Sequence, residues 1–144
     1  MAEYLTFSVP LPPSVNHSHR NYTTKTGRRR RVPTKRAVDW TDGAAWTARA
    51  AMADGHWTCS QGEPVVVEYF VWWPDRRTRD ASNLEKLMLD SIAGVAYDDD
   101  KWAIPRCVGF AYDKASPRLV IRCRRLAGET IPKWCYQGGP TDDE

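Results

Sequence analysis

Residues 65–101 read VVVEYFVWWPDRRTRDASNLEKLMLDSIAGVAYDDDK: an apolar run, a basic turn, one helical segment and an acidic triplet in immediate succession. Val65 to Trp73 is dense in β-branched and aromatic residues and is stopped by Pro74, which predicts a central strand. On the helix that follows, Asn83, Lys86 and Asp90 stand at i, i+3 and i+7 and share one face, while Leu84, Leu87 and Met88 line the neighbouring face. Asp80 stands at the helix entrance, and Asp98, Asp99 and Asp100 come just past its end. Carboxylates from two connected loops can therefore converge near the polar face, and an oxygen-rich set of this kind suits a hard divalent cation such as Mg²⁺. Spacing alone leaves ordinary readings open: an acid near a helix N-terminus favours the dipole, and acid runs are usually solvated turns. Arg76, Arg77 and Arg79 read equally as phosphate contacts or as a solvated turn.

Working outward, 144 residues with 42% hydrophobic content can bury one core, so one domain over residues 1–125 is expected. A C-terminal stretch, 126–144, has little core-forming character and is expected to be mobile at its end, with Trp134 and Tyr136 free to pack on the body or on a partner. No apolar run is long enough for a membrane span and no signal-peptide pattern opens the chain, so the expected location is cytoplasmic, with no membrane partner. Cys59, Cys107, Cys123 and Cys135 show no zinc-type spacing and are expected as thiols, Cys107 and Cys123 facing each other across a hairpin. The formal net charge of +3 hides an asymmetry, because residues 1–36 hold eight Lys and Arg against a single Glu.

Tyr4 to Val9 alternates as a half-buried strand ended by Pro10, and Ser14, Asn16 and His17 follow Pro12 and Pro13 where a chain leaves a sheet edge. Residues 17–36 form a basic loop without secondary structure, and from Arg20 onward it contains no acid. Arg28, Arg29, Arg30 and Arg31 at its centre read as a phosphate clamp, against the plainer alternative of a solvated tether. Pro33 or Thr34 then opens a helix to about Asp54, with Ala37, Trp40, Ala44, Ala48 and Ala51 on one face and Gly55 as C-cap. Ala103 to Tyr112 and Arg118 to Arg124 are expected as two strands of a hairpin turned at residues 113–117. The fold class is thus α+β, a mixed sheet of about four strands with two helices packed on it.

Two patches carry a resemblance to a known family. Asp80-x-x-Asn83-x-x-Lys86-x-x-x-Asp90 followed by an Asp-Asp pair resembles the RusA family of Holliday junction resolvases, and Pro13-Ser14-Val15-Asn16-His17 resembles that family's opening motif, in the family's order. The resemblance covers roughly residues 5–122. It implies a Mg²⁺-dependent endonuclease of phage type, with Mn²⁺ able to substitute, acting on branched DNA as a homodimer. Carried over by position, Asp80, Lys86, Asp90 and Asp99 are the catalytic group; Asp80, Asp90, Asp99 and Asp98 are the metal ligands, with Asp98 and Asp100 competing for the place of Asp99. Asn16 joins the arginines as a DNA-binding residue at the edge of the site. Where the family usually has a second acid, this chain has Ser82. Ser82-Asn83-Leu84-Glu85 fits a capping box, in which Ser82 has a structural task; alternatively Ser82 serves the metal in place of the missing acid. The reading from another class is a non-catalytic phage accessory protein whose basic loop and tryptophans hold single strands.

Overall fold

The computed structural model describes residues 3–13 and 19–139, so Asn16 lies outside the described residues. Strand β1 (Leu5–Val9) is followed by β2 (His19–Thr23), β3 (Arg29–Pro33), helix α1 (Lys35–Gly55) and β4 (Val65–Trp73). A 3-10 turn (Ala81–Leu84) leads into α2 (Glu85–Ile92), a second (Asp100–Trp102) leads into β5 (Ala103–Tyr112), and β6 (Arg118–Arg125) ends the sheet. The fold is α+β, as expected: a four-stranded mixed sheet in the order β1-β6-β4-β5 with two helices packed on it.

Alternation sets the core. Leu5, Phe7 and Val9 of β1, Val67, Tyr69 and Val71 of β4, and Leu119, Ile121 and Cys123 of β6 turn to one face and meet Ala44 and Ala48 of α1 and Met88 and Ile92 of α2. Strand β4 lies inside the sheet, pairing parallel with β5 and antiparallel with β6. Parallel neighbours cannot be joined by a tight turn, so residues 74–102 form a crossover that carries α2.

Two expectations are corrected here. β5 and β6 do not form a hairpin, because β4 lies between them: Cys107 pairs with Tyr69 and Cys123 with Val67, which places the two cysteines on strands that never touch. The Asp113–Pro117 connection instead steps over the end of β4, where the Asp113 amide donates to the Trp73 carbonyl at 2.8 Å. The basic segment, in turn, is not structureless but a two-stranded antiparallel ribbon, with Thr23 opposite Arg29 and Arg20 opposite Val32. Gly27, at φ 84°, closes its turn, donating to Thr24 while the Thr24 amide donates to Arg28.

Helix α1 begins at Thr34, whose hydroxyl accepts from the Ala37 amide at 3.2 Å. Its alanines let it lie against the sheet, and the Trp40 indole donates to the Pro10 carbonyl at 2.8 Å. The C-cap is His56 in the left-handed region at φ 55°, rather than Gly55. Gly55 has another reason to be glycine: a Cβ there would sit 2.5 Å from the Tyr4 carbonyl oxygen, whereas nothing lies within 4 Å of a Cβ at Gly43.

The same substitution at these two glycines of one helix should act with opposite sign. Gly43→Ala is expected to stabilise by about 1 kcal/mol through helix propensity. Gly55→Ala should destabilise by about 1–3 kcal/mol through the backbone clash. Urea unfolding of the two variants checks this, and a stabilised Gly55→Ala would mean that α1 does not press on β1 as described.

Candidate active site

The crossover delivers its polar residues to the surface as the helical spacing predicts. Asn83, Lys86 and Asp90 are exposed on one side while Leu84 and Met88 are buried on the other. Lys86 Nζ bridges to Asp90 Oδ2 at 3.2 Å. Past the helix, the buried Tyr97 donates its hydroxyl to the Leu89 carbonyl at 2.7 Å, and the Trp57 indole donates to the Ala96 carbonyl at 3.0 Å. These two bonds pin the loop so that the acidic triplet follows directly beside the last turn of α2. Sequence reading did not single out either residue; aromatic residues with a polar tip next to a functional loop were the only signal there.

Within the triplet the three acids are not equivalent. Asp98 Oδ2 accepts from the Gly62 amide at 3.1 Å, and the Asp98 amide donates to the Ser60 carbonyl, so Asp98 ties the loop to the segment before β4. Asp99 Oδ1 accepts from the Lys101 amide at 3.0 Å, which with the neighbouring Asp100 holds its carboxyl below the usual range. Asp100 is pushed the other way, its carboxyl raised by the adjoining Asp99 and Asp90 carboxylates. The structure therefore brings Lys86, Asp90, Asp99 and Asp100 together. Among the described residues, no three His, Cys, Asp or Glu side chains converge closely enough to hold one metal ion.

Asp80 stands apart from that cluster. It caps the 3-10 turn before α2, where its Oδ1 accepts from the Ser82 amide at 2.9 Å and from the Ser82 hydroxyl at 2.7 Å. Both bonds favour the carboxylate and lower its pKa. The turn rises about 8 Å over four residues and α2 a further 7.5 Å or so from Glu85 to Asp90, so the backbone can set Asp80 up to roughly 15 Å from Asp90. Ser82 does not form the capping box: α2 has no side-chain cap, and Glu85 accepts instead from the hydroxyl of Tyr69, a core tyrosine of β4. A buried phenol that needs an acceptor has outcompeted the local motif.

The arginines divide as well. Arg79 is a buttress, bound to Asp75 at 2.7 Å and lying over the Trp73 ring with its guanidinium carbon 5.1 Å from the centroid. Arg76 covers Tyr112 at 4.5 Å, and Arg77 is exposed and 3.9 Å from Asp75. Arg28, Arg29, Arg30 and Arg31 lie at and beyond the ribbon turn, all exposed. Beside Asp80 a groove of about 460 Å³ runs between the exit of β1 and the end of β4.

A family model described as Endodeoxyribonuclease RusA matches residues 10–124. No curated protein matches the chain.

The bonds at Asp80 make a titration prediction. Ser82→Ala deletes the hydroxyl donor but keeps the amide, so the Asp80 pKa should rise towards the ordinary carboxylate value, and Asp80 should take up its proton at a higher pH than in the parent protein. Carboxyl NMR titration reads this directly. Thermal stability should barely change, because no cap of α2 is removed; a drop of the size that losing a helix cap brings, about 1 kcal/mol, would contradict the geometry.

Proposed function

The chain belongs to the RusA family of endodeoxyribonucleases, and from that we propose that it is a Mg²⁺-dependent enzyme, with Mn²⁺ able to substitute, that resolves four-way DNA junctions as a homodimer in phage-type recombination and repair. The family match supports taking residues 1–125 as the nuclease domain, with 126–144 an appendage to it, and a DNA substrate fits a cytoplasmic location. The observation that carries the reading is the crowding of Asp90, Asp99 and Asp100 beside Lys86, on a chain with a separate basic ribbon that carries no acid.

The donor set fits a hard divalent cation. It consists of carboxylate oxygens, and the hydrogen-bonded crowding with Asp99 and Asp90 that raises the Asp100 pKa is what such an ion relieves. Asp90 and Asp99 of one copy with Asp80 of another would hold it, with Asp100 in reach and Asp98 occupied by Gly62. When bound, the ion supplies charge neutralisation at the phosphate and a lowered pKa for water. Lys86, exposed and held on the acid face by Asp90, donates to a non-bridging oxygen of the scissile phosphate. Ser82 keeps Asp80 ionised and oriented, which gives the serine a positioning task in place of the family's second acid. Arg28 to Arg31, with Arg76 and Arg77, neutralise flanking phosphates, and Asn16 is assigned a further DNA contact.

The spacing of the acids along the crossover supports self-association. Ligands of one Mg²⁺ stand about 2.0–2.1 Å from it, and among the described residues of one chain no three acids come close enough to share an ion. A second copy related by a two-fold axis can bring its acid cluster to this chain's Asp80, and makes two such sites for the two symmetric strands of a junction. The rival, a non-catalytic nucleic-acid-binding protein, draws on the same observation. Junction binding that survives EDTA while Mg²⁺ adds no nicks would favour that rival.

Asp80→Asn and Asp99→Asn should each abolish Mg²⁺-dependent cleavage of a labelled junction while leaving binding within several-fold. Mixed and allowed to exchange subunits, the two inactive variants should recover nicking, because half of a mixed dimer is intact when the site spans both copies. Full activity in Asp80→Asn would remove it from the site, and silence of the mixture would place each site within one chain.

The ribbon should act on binding alone. Replacing Arg28 to Arg31 by Ala should weaken affinity for all DNA shapes alike and reduce the slope of log K against log salt by about 0.9 for each phosphate no longer neutralised. Cleavage at saturating enzyme should persist; an unchanged slope would make the ribbon a solvated projection.

A further inference from the structure

We propose that the groove beside Asp80 is a nucleobase site, which takes the base adjoining the cleaved phosphate and gives the enzyme its sequence preference; this rests on the reading of the chain as a DNA nuclease. At about 460 Å³ the groove falls within the range of small-molecule sites, about 300–1,000 Å³. Its walls are apolar: Leu11 and Pro12 on one side, Trp73 and Leu84 on the other. Its platform is Arg79, whose planar guanidinium is fixed in two ways, by the Trp73 ring beneath it and by the Asp75 carboxylate at its edge. An anchored guanidinium that is still partly exposed is a surface on which an unstacked base can lie.

Among the polar side chains of the lining, Asn83 and Arg36 carry the groups that matter for a nucleotide. Among the described residues, neither the Asn83 carboxamide nor the Arg36 guanidinium takes part in a hydrogen bond or ion pair, whereas Asp80 beside them does. Asn83 offers one acceptor and two donors in a plane, the pattern that pairs with a base edge, and Arg36 at the start of α1 suits the phosphate that follows. Asp80 lines the same groove. A base seated here brings its own phosphodiester to the acid, which couples recognition to the position of the cut.

The test uses four-way junctions carrying 2-aminopurine at each position around the branch point, first in EDTA and then with Mg²⁺. Binding should raise the fluorescence at one position only, as that base leaves its stack, and Asn83→Ala should remove the rise. With Mg²⁺, the preference among dinucleotides should flatten by about tenfold in Asn83→Ala. Asn83→Asp, which keeps the shape and loses the donors, should shift the preference to a different base. Trp46→Ala, on the outer side of α1, should leave both readouts as they are. Fluorescence that does not change at any position, or that rises equally in Asn83→Ala, overturns the base site even if the enzyme cuts. A rise that depends on Asn83 in a protein that never cuts overturns the nuclease reading and leaves the base site standing. No binding to the junction overturns both.

Discussion

Parallel pairing of β4 with β5 is the constraint from which the rest follows. The end of one strand and the start of the next lie at opposite ends of the sheet, so the chain between them has to travel the length of the molecule, and α2 is the part of that journey which packs. Polar groups on such a crossover are spread along it. Asp80 leaves from the end of β4, near the prolines that follow β1; Asp98 to Asp100 arrive beside Ser60 and Gly62, just ahead of β4. Acids only about twenty positions apart in the chain are therefore held apart by the sheet they serve.

Electrostatics at the two ends differ in kind. At Asp80 every interaction favours the charged form, since Ser82 donates twice to the carboxylate. At the other end three carboxylates adjoin, with Lys86 bridging Asp90 and Lys101 beside Asp99, and Asp100 answers by holding its proton more tightly. Buried tyrosines support both ends. Tyr69 anchors the entry to α2 through Glu85, and Tyr97 anchors the acid loop to the last turn. Both phenols sit in the core, where leaving the hydroxyl without an acceptor would cost about 1–3 kcal/mol, and that penalty fixes the surface chemistry above them.

Much of this was legible from local pattern. The period of two in Leu5, Phe7 and Val9, the β-branched run before Pro74 and the alanine face of α1 each specify their element without help from elsewhere. What failed was what depends on distant partners. Nothing in residues 103–125 says that β6 will insert between β1 and β4, because pairing across 54 residues, as between Glu68 and Arg122, leaves no local signature. Ser82 to Glu85 satisfies the capping box as a string, yet Tyr69 claims Glu85. Lys25-Thr26-Gly27 could have revealed the ribbon turn, but the charge of the arginines around it reads more strongly than the turn chemistry. The partition of arginines into buttress and free contact was invisible, since it depends on which of them an aromatic ring happens to meet.

The outer strand β5 has one further consequence, for solubility at high concentration. A sheet's border ordinarily invites another chain to extend it, and here that border carries exposed Val108 and Phe110. Pro105 offers no amide there, and the extra residue between Cys107 and Gly109 breaks the regular spacing of the remaining groups. An incoming strand finds no continuous ladder to join. The molecule is thereby protected from open-ended fibre growth along this border.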